Sequence, residues 1–280
     1  MIKNLIRQTQ KVVRDTLKKF QKPAIACSFG LDSMLSLYFC RQIIPDIPVI
    51  WVDSGCEYPD TYRFIKKIVP TEKINLVKIL AKHTFLWVVG RHGFPLYSRG
   101  NMAKYNKKYL PAHYCCLYLK RRPLQQHIRN TGYDIIVDGM RVDESQMRRY
   151  WITKRGICHY SKDNRSYRFH PVAYWTRDQE EEATKILKIP LNTIYKKKLE
   201  GCIARTGCWC CTMNWDRGNR SKYLRKYYPQ LWRILMINYG FAKFLLKQRL
   251  NTEIPNEKIE DILETRPCFF DTVQENNNKR

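Results

Sequence analysis

Pro23-Ala24-Ile25-Ala26-Cys27-Ser28-Phe29-Gly30-Leu31-Asp32-Ser33 is the stretch on which the reading of this chain turns. Pro23 to Cys27 reads as a short buried strand. The small residues after it form a turn, and Ser33 to Ile44 carries the apolar spacing of a helix. A loop between a strand and a helix turns backbone N–H groups and a helix N-terminus toward one point, which makes a pocket for an anion. The hydroxyls of Ser28 and Ser33 can add hydrogen bonds there. Such a junction also needs small residues for steric reasons, so the loop takes its meaning from the rest of the chain.

Outward from the loop, Pro48 to Val52 reads as a second buried strand ending at Asp53, Ser54 and Gly55, and Tyr58 to Ile68 as a helix. Ile74 to Leu80 and Ile135 to Val137 follow as further strands, each apolar enough to be covered on both faces. This β-α-β-α order predicts an α/β fold with a parallel sheet, whose ligands sit beyond the carboxyl ends of the strands. Residues 28–33, 53–55 and 139–144 all fall there. Met1 to Phe20 interleaves Ile2, Leu5, Ile6, Val12, Val13 and Leu17 with basic residues, the pattern of an amphipathic helix rather than of a signal peptide. No stretch is long and apolar enough to span a membrane, and a cytoplasmic protein is expected.

The 280 residues hold 51 Lys and Arg against 25 Asp and Glu, a formal net charge of +26. A polyanionic partner is expected, and nucleotide phosphates, sulfate esters or nucleic acid all satisfy that field. From about Asp216 the composition turns basic and aromatic, with Arg217, Arg220, Lys222, Tyr223, Arg225, Lys226, Tyr227 and Tyr228. We therefore expect a main domain over 1–215 and a helical, basic extension over 216–280, of which 274–280 has the composition of a disordered tail. Eleven cysteines without a secretory signal point to metal or redox chemistry more than to disulfides. Cys115 and Cys116 are adjacent, and Cys208 and Cys211 have Cys-x-x-Cys spacing. Four thiolates match the ligand count of a 4Fe-4S cluster, and tetrahedral zinc accepts the same four. Cys27, Cys40, Cys56, Cys202 and Cys210 read as packed thiols.

Six segments together resemble one known family. Ser28-Phe29-Gly30-Leu31-Asp32-Ser33 resembles the Ser-Gly-Gly-x-Asp-Ser loop of PP-loop enzymes. Asp53-Ser54-Gly55-Cys56-Glu57-Tyr58-Pro59-Asp60-Thr61 is similar to the Asp-Thr-Gly-x-x-Phe-Pro-Glu-Thr segment of the sulfonucleotide reductases. Cys115-Cys116 with Lys120, Pro123 and Leu124 resembles their Cys-Cys-x-x-x-Lys-x-x-Pro-Leu segment, and Gly139 to Arg148 their Gly-x-Arg-x-x-Glu-Ser-x-x-Arg segment. Pro171 with Trp175-Thr176, and Gly207-Cys208 to Cys211-Thr212, resemble the two remaining motifs. Over residues 20 to 215, the chain is identified as similar to the adenylyl-sulfate and phosphoadenylyl-sulfate (PAPS) reductase family of the PP-loop, HUP-like superfamily.

That resemblance implies a Rossmann-type PP-loop domain that binds an adenine nucleotide through Ser28, Gly30, Asp32, Ser33, Asp53, Ser54, Gly55, Arg141 and Arg148. It places Lys120, Arg141 and Arg148 at the sulfate or phosphate end of the ligand, where Arg offers a planar fork to an oxyanion. It favours iron over zinc at Cys115, Cys116, Cys208 and Cys211, and implies reduction of the sulfonucleotide to sulfite with a thioredoxin-like dithiol. Two departures stand out. Phe29 replaces the first glycine of the loop, where glycine would allow positive φ. The reductases' nucleophilic cysteine lies in a Glu-Cys-Gly-Leu-His motif that this sequence lacks; Cys268, beside Arg266, is the cysteine left after Cys211 to take that role. A PP-loop enzyme that spends ATP to activate or thiolate a nucleic acid, or a non-catalytic nucleic-acid-binding module, are the alternative readings.

Overall fold

The computed structural model describes residues 2–95, 111–200, 202, 205–213, 215, 219–250 and 255–265. Packing divides the chain into two units, Met1–Lys82 with Lys120–Ile194, and His83–Leu119 with Tyr195–Arg280.

The first unit is built on a six-stranded sheet of β1 (Pro23–Ala26), β2 (Val49–Asp53), β3 (Leu76–Leu80), β4 (Ile135–Val137), β5 (Cys158–Ser161) and β6 (Ser166–Phe169). Their order is β3-β2-β1-β4-β6-β5, parallel throughout except where β5 pairs antiparallel with β6. From β1 the chain moves outward through β2 to β3, then returns to the other side of β1 for β4. The turning point lies between β1 and β4, the place where folds of this kind hold their ligands beyond the carboxyl ends of the strands. In register, Ile25 faces Val49 on one side, and Ala24 faces Ile136 on the other.

Because strand side chains alternate between faces, the central strands feed two cores. Ile25, Val49, Trp51, Ile135 and Val137 join Val13, Leu17, Leu35 and Phe39 in the larger one. Ala24, Ile50 and Ile136 join Ile128 and Tyr133 in the smaller. The larger core is covered by α1 (Ile2–Leu17), α2 (Leu31–Arg41), α3 (Pro59–Thr71) and a later helix at Arg177–Ile186. α1 is the expected amphipathic helix; Ile6, Thr9, Val13 and Leu17 are its buried stripe, at spacings of three and four.

Two features go beyond the expectation. β3 packs Leu76 on the larger core and Val77 and Ile79 on the smaller, as a strand covered on both faces should, but it is the edge of the sheet, and Leu80 at its end is 68% exposed. The sheet also ends in the antiparallel β5–β6 hairpin, whose polar and aromatic residues lack the apolar run by which the other strands were read.

The second unit is helical. It contains α4 (Phe85–His92), α5 (Pro111–Cys116) and the helices of the C-terminal part. α5 runs into a π-helical turn at Leu117–Arg121, and the chain continues as α6 (Arg122–Thr131) of the first unit. Phe94 and Trp215 both pack on Phe241, at ring-centroid distances of 4.9 Å, and Phe85 packs on Tyr239 at 5.7 Å. The division expected at 215/216 falls inside this unit. The expected disordered tail lies outside the described residues. No helix among the described residues is long and apolar enough to cross a membrane.

Candidate functional site: a nucleotide crevice and two cysteine segments

At the carboxyl end of β1 the chain turns through Cys27 to Gly30 into α2. Ser33 Oγ accepts from the Gly30 N–H at 3.1 Å, donates to the Gly30 carbonyl at 3.0 Å and lies 3.3 Å from Ser28 Oγ. This knot holds the loop tight against the positive end of the α2 dipole. Phe29 adopts the conformation its family counterpart, glycine, would favour, with φ of 55°. Its ring is fully buried, edge-on to Trp51 and Phe64 at 6.4 Å each. The left-handed backbone costs roughly 1–2 kcal/mol, and burying a Phe side chain returns roughly 1.5–3 kcal/mol. Burial therefore offsets the strain, and the loop keeps its left-handed turn without the glycine. Cys27 is a packed thiol, as expected, and burial pushes it up to about 11.

The loop after β4 presses on the same point. A Cβ on Gly139 would lie 2.6 Å from the Asp32 carbonyl carbon and 2.7 Å from the Ser33 nitrogen, so only glycine lets the two backbones approach. Beyond β2, Asp53 accepts from Tyr62 Oη at 2.6 Å and from the Gly55 N–H at 2.9 Å, and pairs with Lys78 at 2.9 Å. Burial alone would raise the Asp53 carboxyl, but Tyr62 and Lys78 outweigh it and hold it below its ordinary value. Gly55 itself has φ of 71°. Ser54 Oγ donates to Glu57 at 2.9 Å, and Lys120 Nζ lies 3.0 Å from the same carboxylate oxygen. Lys120 is thereby carried to the carboxyl end of β2.

Arg141 is buried and turned inward. Nε meets Asp32 at 2.6 Å, and one terminal nitrogen meets Asp143 at 2.8 Å and the Trp175 carbonyl at 3.2 Å. Its guanidinium thus fastens the β4 loop to the first turn of α2, across 109 residues of sequence. Glu180 Oε2 stands 3.2 Å from Arg141 Nε but outside hydrogen-bond alignment. Sequence reading missed Glu180, which sits in a run of three glutamates that looks like a solvated helix face. It is fully buried. As a carboxylate it finds no aligned donor; as an acid it donates to Asp32, and burial together with that neighbour pushes it up to about 10. Asp32 would be raised by burial, but the Glu180 hydrogen bond and the Arg141 charge hold it below its ordinary value. Arg148 pairs with Glu144 one helical turn earlier, and Glu144 also accepts from the Arg141 backbone N–H at 3.3 Å.

A second charged cluster is formed by the part-buried Asp138 and Arg168 with the buried His170. Burial alone would raise the Asp138 carboxyl, but Arg168 and His170 outweigh it and hold it far below the usual carboxylate range. No sequence motif marks these residues as a group, because they come from the end of β4, from β6 and from the turn after it.

All four expected metal-ligating cysteines lie in the second unit. Cys115 and Cys116 end α5 just before the π-helical turn, a distortion frequent at functional sites. Cys208 and Cys211 close a tight turn through the Cys211 N–H on the Cys208 carbonyl at 3.2 Å. The donor chemistry fits a four-thiolate site; the side chains are not gathered, since no three His, Cys, Asp or Glu among the described residues stand close enough to hold a metal ion. Cys210 is buried, as expected of a packing residue. Cys268 and Arg266 lie outside the described residues. Tyr223 and Tyr228, from the basic and aromatic stretch after Asp216, are buried in the second unit.

The phosphoadenosine phosphosulfate reductase domain matches residues 22–214. A phosphoadenosine 5'-phosphosulfate reductase of Alkalilimnicola ehrlichii is 29% identical over 63% of this chain and 66% of its own length. One of Xanthomonas axonopodis is 26% identical over 79% and 84%. One of Vibrio campbellii, at 30% identity, is matched over 53% of its length, so the alignment leaves much of some relatives uncovered. Among solved structures, a PAPS reductase from Candida auris superposes with a TM-score of 0.50 at 17% identity, covering 70% of this chain and 89% of that one. A tRNA thiolase from Methanococcus maripaludis, solved with its 4Fe-4S cluster, gives 0.50 at 16%, covering 85% and 80%. At those identities the likeness is one of fold. With a family match running from the strand before the Ser28–Ser33 loop to just past the Cys-x-x-Cys turn, the chain belongs to the phosphoadenosine phosphosulfate reductase domain family.

Proposed function

We propose that the crevice at the carboxyl ends of β1, β2 and β4 binds an adenylyl nucleotide and that the chain reduces adenylyl sulfate or phosphoadenylyl sulfate to sulfite. The observation that carries this reading is the close backbone approach of Gly139 to Asp32 and Ser33, which holds the first turn of α2 and the loop before it in place, in a chain of this family. Ser28, Gly30, Asp32 and Ser33 form the phosphate seat of this reading, with Asp53, Ser54 and Gly55 on the neighbouring loop. Lys120 and Arg148 are the cations for the sulfate end, each held ready by a carboxylate that an arriving anion would displace. Arg141 serves from behind by fixing Asp32 and the loop.

In the reaction, the Cys268 thiolate attacks the sulfur of the sulfonucleotide. A sulfur–sulfur bond forms, the sulfur–oxygen bond to the nucleotide breaks, and the nucleoside phosphate leaves with the electron pair. A thioredoxin-type dithiol then attacks the cysteine sulfur, releasing sulfite and ending as a disulfide. Cys115, Cys116, Cys208 and Cys211 are the ligand set for a 4Fe-4S cluster, supported by their number, their chemistry and their place in one unit. No step of the transfer is assigned to it.

Sulfite release by anaerobically purified protein, given either sulfonucleotide and a dithiol, tests the reading, and Cys268→Ser should abolish it. Iron and sulfide analysis tests the cluster; stoichiometric zinc without iron would overturn that assignment. No sulfite, together with pyrophosphate release from ATP in the presence of tRNA, would move the assignment to nucleic-acid activation, a reading favoured by the +26 charge.

A further inference from the structure

The helix α7 (Gln146–Arg155) springs from the β4 loop and buries one residue, Ile152, along its whole length. Eight of its ten residues are exposed. A helix so placed is expected to turn only polar groups outward, yet Met147, Tyr150 and Trp151 are 63%, 53% and 38% exposed. With Lys154 they recur at spacings of three and four, so they share one face, and Ile152 points to the other side. Lys154 Nζ stands 5.5 Å from the Tyr150 ring centroid, and the Arg155 guanidinium lies 4.2 Å over the Trp151 ring. The two rings meet edge to face at 5.1 Å. No acidic residue occurs in the helix. Both ends are secured, by Ser145 Oγ accepting from the Arg148 N–H at 3.2 Å and by Gly156 at φ of 79°, so the face is presented on a fixed element.

We propose that this face of α7 binds single-stranded nucleic acid, with bases stacked on Tyr150 and Trp151 and phosphates met by Lys154 and Arg155. Exposed aromatic planes interleaved with cations suit a strand whose base faces are open; in a duplex those faces are already stacked, and the rings would gain nothing. The net charge of +26 supplies the attraction for such a polyanion. A membrane surface would ask for a broad apolar face with several large hydrophobic side chains, and this helix offers Met147 and Trp151. The surface does not depend on the sulfonucleotide reading, because binding and sulfite release are measured separately.

The test is fluorescence anisotropy of the full chain with labelled 20-residue oligouridine and oligothymidine, a duplex of equal length, and anionic phospholipid vesicles in a parallel sedimentation assay. Binding of either single strand is expected, with quenching of Trp fluorescence. Tyr150→Ala/Trp151→Ala should weaken it by about tenfold or more at fixed salt. Lys154→Gln/Arg155→Gln should flatten the dependence of log affinity on log salt by roughly 0.7 for each phosphate no longer neutralised. All four side chains are exposed, and an unchanged thermal transition checks that the variants fold. The proposal is overturned if neither strand binds, if the aromatic variant binds as wild type does, if the duplex binds as tightly and is equally sensitive to that variant, or if vesicles are the ligand the variant loses.

Discussion

Phe29 and Glu180 carry the sharpest consequences at the level of single residues. Phe29 combines a conformation that favours glycine with a ring that belongs in the core. Truncation to Ala removes the ring and keeps the strain, a loss of about 3–5 kcal/mol. Truncation to Gly removes both, so Phe29→Gly should be more stable than Phe29→Ala by about 1 kcal/mol in urea denaturation, the reverse of the usual order for these two residues. If the Ala variant is the more stable, the left-handed turn is not a strained one. Glu180 makes a prediction in pH. Its pKa in the folded chain, about 10, lies above the ordinary 4.5. Its contribution is therefore complete below 4.5 and drains away as pH rises toward 10. Relative to Glu180→Gln, which stays neutral, the wild type should lose stability between pH 5 and 9 with a slope approaching about 1.4 kcal/mol per pH unit. Parallel pH profiles would mean that Glu180 is ionised in the fold.

Among elements, the junction of the β4 loop with α2 is the least forgiving. The atoms a Gly139 Cβ would meet are backbone, so no rotamer change makes room. Gly139→Ala should cost about 1–3 kcal/mol of stability and, on the proposed reading, weaken adenine-nucleotide binding with it, because the same displacement shifts the loop proposed to hold the phosphate. Calorimetric titration with adenosine phosphates would expose an error: affinity kept in a destabilised variant would detach the seat from this close approach. The Trp175-Thr176 motif has a plain structural reading. Thr176 caps the helix at Arg177–Ile186 in a reciprocal box with Gln179, and that helix delivers Glu180.

For the whole molecule, the composition shift near Asp216 marked a change of surface character, whereas packing joins 195–280 to 83–119. Phe94 on Phe241 and Phe85 on Tyr239 show why: the later helices find their apolar partners in the earlier segment. A fragment of 195–280 alone should therefore lack a cooperative thermal transition by circular dichroism, and adding 83–119 through a linker should restore one. A cooperative transition in the fragment alone would make the C-terminal part independent. This composite unit also brings the two cysteine segments into one body.

What the sequence by itself determined is everything that depends on near neighbours: the strand, turn and helix at Pro23 to Ile44, the amphipathic α1, the order of motifs from Ser28 to Thr212, and the cysteine spacings. Periodicity and turn chemistry act within a few residues, so they are written locally. Tertiary structure alone decided that Arg141 turns inward to Asp32 across 109 residues, that β3 is an edge and that Tyr223 is buried. It also decided that Glu180, from a run of identical charges, is the one sealed beside Asp32. A side chain's charge state and exposure are set by what the rest of the chain places against it, and no local pattern records that.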